Sequence, residues 1–281
     1  MASTSTARTF LAYQHNANLH RLQTVVTGIQ PFAKLEDSNR QLFKQASDDY
    51  DHVVVTQQTI FHPQGGGQPS DVGKMVSPSS GTVFEVTAVR MDAVHDGQVL
   101  HLGRFHPSPT PTPSPGEFTA DETVEQTIDV DQRLLFSRLH TAGHVLGAAV
   151  NHLLGKEVPD FEELKASHFP DSASCEFRGL IEGKWKESIQ KKVDELIAAK
   201  LPVRVEWWDE DDFRVRGLQR LIPDRSLVAP GEKFRVVNIV GAEVYPCGGT
   251  HVETTDRCGE TTVKKISRKM GISRVSYTVR K

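Results

Sequence analysis

The chain has 281 residues, 37% of them hydrophobic and 25% charged, with a formal net charge of -3. That length suits about two domains, each with its own core, and the composition excludes a disordered or fibrous chain. The acidic balance excludes a polycation, so a nucleic-acid partner needs a local basic patch.

No apolar run approaches the ~20 residues needed to cross a bilayer. The only cysteines are Cys175, Cys247 and Cys258, which argues against a disulfide scaffold and for a reducing compartment. The expected location is the cytoplasm. Residues 1–35 lack Asp and Glu, which makes a mitochondrial address the lesser reading. The first eight residues read as a tail.

Residues 1–128 carry the signals of an all-β domain. Short β-branched runs at 24–27, 52–55, 83–86 and 98–101 are bounded by Gly, Pro, Asp and Ser, and a helix is expected over 37–46. At 106–116 lies a Pro-rich insertion with prolines at alternate positions, read as a solvated polyproline-type loop. A strand resumes at 123–130. From 129 the period changes. Leu134, Leu135, Leu139, Val145, Leu146, Val150, Leu153 and Leu154 recur at helical spacing before Gly155. A second amphipathic helix is expected over 183–200. Strands follow at 203–207, 234–239, 261–265 and 275–279, which makes 129–281 an α+β domain.

Three motifs carry chemistry. His140-Thr-Ala-Gly-His144 puts two imidazoles on one helical face. Cys247-Gly-Gly-Thr-His251 adds a thiol and an imidazole at the same spacing. Together they form a four-donor set suited to one Zn2+ per chain. Thr141 stands where a zincin protease needs a Glu. The third motif, Thr59-Ile-Phe-His62-Pro-Gln-Gly65-Gly66-Gly67-Gln68-Pro-Ser-Asp71, has consecutive glycines that permit close backbone approach to a ligand. No Lys-Ser/Thr follows it, so it is no Walker loop.

In this order the three motifs resemble free-standing alanyl-tRNA editing proteins of the AlaX family, which are similar to the editing domain of alanyl-tRNA synthetase. His62 stands where that family often has tyrosine, and the Pro-rich stretch is extra. The resemblance implies a β-barrel-like domain bearing the Gly-rich loop, then a zinc-binding editing domain akin to that of threonyl-tRNA synthetase. It implies a trans-acting hydrolase that deacylates Ser-tRNA(Ala) and Gly-tRNA(Ala), since a pocket built for alanine rejects these poorly. It assigns Thr59 as the serine sensor; with all four donors on the metal, activation of water falls to the substrate's own hydroxyl or to nearby groups such as Gln68. His62, Gly65, Gly66, Gly67 and Asp71 become substrate-binding residues. The alternatives are a tRNA-binding module with a purely structural zinc, or an editor of a different aminoacyl-tRNA. The expected partner is mischarged tRNA(Ala), held by Lys264, Lys265, Arg268 and Lys269 within a C-terminal stretch that carries seven basic residues and no acidic one over 261–281.

Overall fold

The computed structural model of the chain describes residues 8–106 and 116–280. The first seven residues of the expected tail, the prolines of the insertion (107–115) and Lys281 lie outside the described residues. The chain divides into two units: Met1–Gly65 with Pro69–Arg133, and Gly66–Gln68 with Leu134–Lys281. The division near 128 thus falls at Arg133, and three residues of the Gly-rich loop group with the second unit.

The first unit runs β1 (Phe10–Leu11), α1 (Ala12–His15), β2 (Arg21–Pro31), α2 (Asp37–Arg40), β3 (His52–Thr56), β4 (Gln58–Thr59), β5 (Gly73–Val76), β6 (Val83–Met91), β7 (Val99–Phe105) and β8 (Thr123–Ile128). Six strands close the expected barrel in the order β2-β3-β7-β6-β5-β8. Alternation along them sends Val26, Val54, Met75, Phe84, Val86, Val99 and Val124 inward to one apolar cluster. Strand β2 pairs with β8 through Arg21–Val25 and with β3 from Val26 onward, with an irregularity between Val26 and Gly28. Such bulges bend a strand and help a sheet curl closed. The helix expected over 37–46 stops at Arg40. Beyond it Phe43 and Ala46 donate backbone bonds to residues three back, the tighter pattern of turns. Phe43 is still buried, against Phe32, Val53 and Leu100.

The second unit is led by α3 (Val130–Leu154), whose first four residues count with the barrel unit. Asp129 caps this helix through the Gln132 N–H at 2.9 Å. Leu139, Ala142, Val145, Leu146, Ala149 and Val150 are all buried in the unit's main core. Leu134, expected to face inward, is 50% exposed. Then follow β9 (Glu162–Ser167), β10 (Ser174–Arg178), α4 (Lys186–Ala198), β11 (Val203–Trp208), α5 (Glu210–Val215), β12 (Phe234–Ile239), β13 (Glu243–Pro246), β14 (Thr261–Lys269) and β15 (Ile272–Val279). The sheets are β14-β15-β10-β9 and β11-β12-β13, antiparallel throughout. This is the expected α+β class, with its strands in two sheets. Among the described residues no helix is long and apolar enough to cross a membrane.

Candidate metal centre and its cleft

Helix α3 supplies His140 and His144, one turn apart, and the turn after β13 supplies Cys247 and His251. The four donor atoms lie within 4.8 Å of one another. Cys247 Sγ is 3.4 Å from His140 Nε2 and 3.3 Å from His251 Nε2. Ligands around a tetrahedral zinc stand about 3.6 Å apart for an S–N pair, so the spacing fits that ion.

The outer bonds of the imidazoles agree with this. His140 Nδ1 lies 2.7 Å from Gln68 Oε1. That oxygen accepts only, so the proton sits on Nδ1 and Nε2 is left bare. His251 Nδ1 lies 3.1 Å from Thr141 Oγ1. This hydroxyl already donates to the Ser137 carbonyl at 2.9 Å, so His251 also presents an unprotonated Nε2. Such outer-shell bonds orient metal-ligating histidines. His144 is buried and its Nδ1 has no hydrogen-bond partner, and burial pushes this imidazole well below its ordinary pKa. Burial pushes the Cys247 thiol up, with the Gly249 N–H and Arg235 pulling the other way. A desolvated thiol among neutral imidazoles becomes a thiolate when a cation joins it. Close packing requires the glycine at 249: a Cβ there would come 2.3 Å from His140 Cε1 and 2.7 Å from Gln68 Oε1.

Gln68 is fully buried and heavily engaged. Its Oε1 takes the His140 and Thr250 N–H groups (2.7 and 3.0 Å), and its Nε2 donates to Thr250 Oγ1 at 2.8 Å. This is an orienting role, with no acceptor left for a water. Gly66 and Gly67 (φ +55° and +79°) line a cleft of about 1580 Å³ that also includes His140, His144 and Cys247. Gly65 is exposed and outside that lining.

The remaining loop residues belong to the barrel unit. His101 donates Nδ1–H to the Val54 carbonyl at 2.9 Å, so its Nε2 accepts the Thr59 hydroxyl at 2.8 Å. Burial pushes His101 down to about 4, which keeps it neutral. The same Thr59 oxygen accepts the Phe61 N–H at 3.0 Å, so the only proton of the hydroxyl is used inside the barrel. His62 packs edge-on to Tyr13 at 5.3 Å, and its Nδ1 lies 3.2 Å from the Pro69 carbonyl. Asp71 receives the His62 N–H at 2.6 Å and a buried Arg133 guanidinium. Arg133 also reaches the carbonyls of Ala17 and Ile60. The side-chain contacts of Thr59, His62 and Asp71 are thus made within the barrel unit itself.

Sequence reasoning missed three groups of the cleft. His168 is 1% exposed and stacks on His140 with ring centroids 4.2 Å apart. Its Nδ1–H goes to the Tyr277 hydroxyl (2.7 Å), which donates to the Leu139 carbonyl (2.9 Å), so Nε2 remains an acceptor. Burial pushes His168 down to about 4. Glu163 and Tyr245 line the same cleft. Arg235 bonds the Cys247 carbonyl and so holds the ligand turn. None of these stands at a telling spacing from another donor, so periodicity held no signal for them. The basic residues Lys264, Lys265, Arg268 and Lys269 are all exposed on β14. A bulge between Val263 and Lys265 interrupts their register against β15.

Residues 234–276 match the family described as the threonyl and alanyl tRNA synthetase second additional domain. The chain is 29% identical over 227 residues to the alanyl-tRNA editing protein AlaX-L of Pyrococcus horikoshii, covering 80% of this chain and 50% of that protein. It is 28% identical to the alanine–tRNA ligase of Methanosphaera stadtmanae over 80% of this chain and 24% of the ligase. For the Halorubrum lacusprofundi ligase the figures are 30%, 83% and 23%. The chain thus spans about a quarter of the ligases and half of AlaX-L. It is therefore homologous to the alanyl-tRNA editing protein AlaX-L and to a segment of alanine–tRNA ligases, with the second additional domain of threonyl and alanyl tRNA synthetases at 234–276.

Proposed function

We propose that this protein is an aminoacyl-tRNA ester hydrolase that removes serine, and also glycine, from mischarged tRNA(Ala). The observation that carries this reading is the four-donor cluster opening on the cleft in a chain homologous to AlaX-L. His140, His144, Cys247 and His251 would hold one zinc. The ion supplies positive charge that fixes the ligand turn against α3 and polarises the site. Gln68 and Thr141 hold two of the imidazoles in the tautomer the metal needs. His168, neutral and anchored through Tyr277, is the acceptor left to orient a water beside His140. The tRNA backbone is assigned to Lys264, Lys265, Arg268 and Lys269.

A deacylation assay with Ser-, Gly- and Ala-tRNA(Ala) tests the reading. Serine and glycine should be released and alanine spared. Release of another amino acid from its own mischarged tRNA, with Ser-tRNA(Ala) untouched, would mean an editor of a different pair. A second reading is favoured by the number of donors, since four protein ligands fill a tetrahedral zinc. On that reading the protein binds tRNA with a structural zinc, and the assay would show no hydrolysis while filter binding still retained the tRNA.

A further inference from the structure

Glu163, on β9, lines the cleft and is partly buried. Its neighbours along the strand are matched: Glu162 pairs with Arg178 at 2.5 Å, and Lys165 with Glu176 at 3.5 Å. Across the cleft, Glu243 takes the Asn151 amide. Glu163 has no ion-pair partner among the described residues. Its two carboxyl oxygens and the Tyr245 hydroxyl converge on one point of α3, each 2.7 Å from where a Cβ on Gly147 would sit. Only glycine leaves room for them there. The Tyr245 hydroxyl is shared between this carboxyl and the His144 carbonyl oxygen at 3.2 Å, and the Tyr245 ring lies 4.2 Å from that of His144. The carboxyl is thus fixed in direction, beside the metal cluster; Arg220 and Glu243, on the same cleft, act on it with opposite signs, and neither forms a direct ion pair with it.

A desolvated carboxylate is costly unless paired, and an unpaired one in a cleft fits a ligand that brings its own positive charge. Aminoacyl esters carry such a group, an α-ammonium close to the reacting carbonyl. We propose that Glu163 is the subsite for the α-ammonium of the aminoacyl group, held in place by Tyr245 and by the bare backbone at Gly147. This rests on the deacylase reading for the identity of the substrate. Burial raises the Glu163 carboxyl to about 7, with the Tyr245 hydroxyl and Arg220 pulling the other way, in keeping with a carboxyl that no cation contacts directly.

The test uses two hydrolysis-resistant ligands on the zinc-loaded full chain. One is 3′-amino-3′-deoxyadenosine acylated with serine. The other carries 3-hydroxypropionic acid, which is serine without its amine. Calorimetry on the wild type should show the amine-bearing ligand binding at least about tenfold tighter, the scale of a hydrogen bond between charged groups. Glu163→Gln keeps the size and a partner for Tyr245. It should remove that preference by weakening the seryl ligand alone, with the other ligand unchanged within about twofold. Tyr245→Phe should reduce the preference in part. Equal weakening of both ligands by Glu163→Gln would make Glu163 a scaffold residue and overturn the proposal, as would an unchanged preference or a wild type that binds neither ligand. If the preference is found but no mischarged tRNA is hydrolysed, the ammonium site stands and the deacylase reading alone fails.

Discussion

Thr59 spends its hydroxyl proton on His101 and accepts from the Phe61 backbone, so little of it is left to read a serine side chain. Thr59→Val would leave His101 Nε2 and the Phe61 N–H without this partner. It should lower the stability of the barrel unit by about 1–3 kcal/mol and reduce Ser- and Gly-tRNA(Ala) hydrolysis to the same extent. A loss confined to the serine substrate would make Thr59 the sensor that its motif suggests. Glu163 gives a pH prediction with a definite sign. Its carboxyl rises to about 7 in the folded chain from a usual 4.5, so folding favours the protonated form. That contribution is complete below about pH 4.5 and disappears as pH rises through 7. Glu163→Gln should therefore stabilise the ligand-free protein at pH 8 by about 1–2 kcal/mol, allowing for the partial exposure of the group, and by nothing at pH 4.5. Thermal melts at the two pH values check it.

At the level of elements, the Gly-rich loop and the β14–β15 hairpin show how much a local pattern conveys. Three consecutive glycines correctly marked a loop of unusual backbone, and Gly66 and Gly67 do adopt positive φ. The division of its neighbours, with Gln68 on the candidate metal ligand His140 and with His62 and Asp71 bonded to each other in the barrel unit, was not legible. In the hairpin, Lys264, Lys265, Arg268 and Lys269 are exposed, and none has an ion-pair partner among the described residues. Arg280, by contrast, pairs with Glu260 at 3.1 Å. The triple reversal of Lys264, Lys265 and Lys269 to Glu should weaken tRNA binding for any sequence and flatten the dependence of affinity on salt. Filter binding across a salt series measures both, and an unchanged slope would remove the hairpin from the RNA surface.

For the molecule as a whole, the metal is the expected tie within the second unit, since Cys247 and His140 are 107 residues apart in the chain. Elemental analysis should find one zinc per chain. Chelation should lower the melting temperature of the second unit and abolish hydrolysis. Gln68→Ala should weaken metal affinity by about 10- to 100-fold, the usual effect of losing an outer-shell partner. Competition with a chromophoric chelator reads this directly.

What the amino-acid sequence determined by itself was whatever depends on short spacing: five of the six barrel strands (β5 went unread), the long helix, and the two pairs of donors four residues apart. Those follow from helical and strand periods that act over a few residues. Tertiary structure decided which groups finish the site. Gln68 meets Thr250 across 182 residues and His168 meets Tyr277 across 109, separations at which no local period survives. Glu163 reads in the sequence as one more acidic residue beside Glu162. Only the packing of β9 against α3 at Gly147 makes it a desolvated carboxyl, because desolvation is a property of the surroundings and not of the residue.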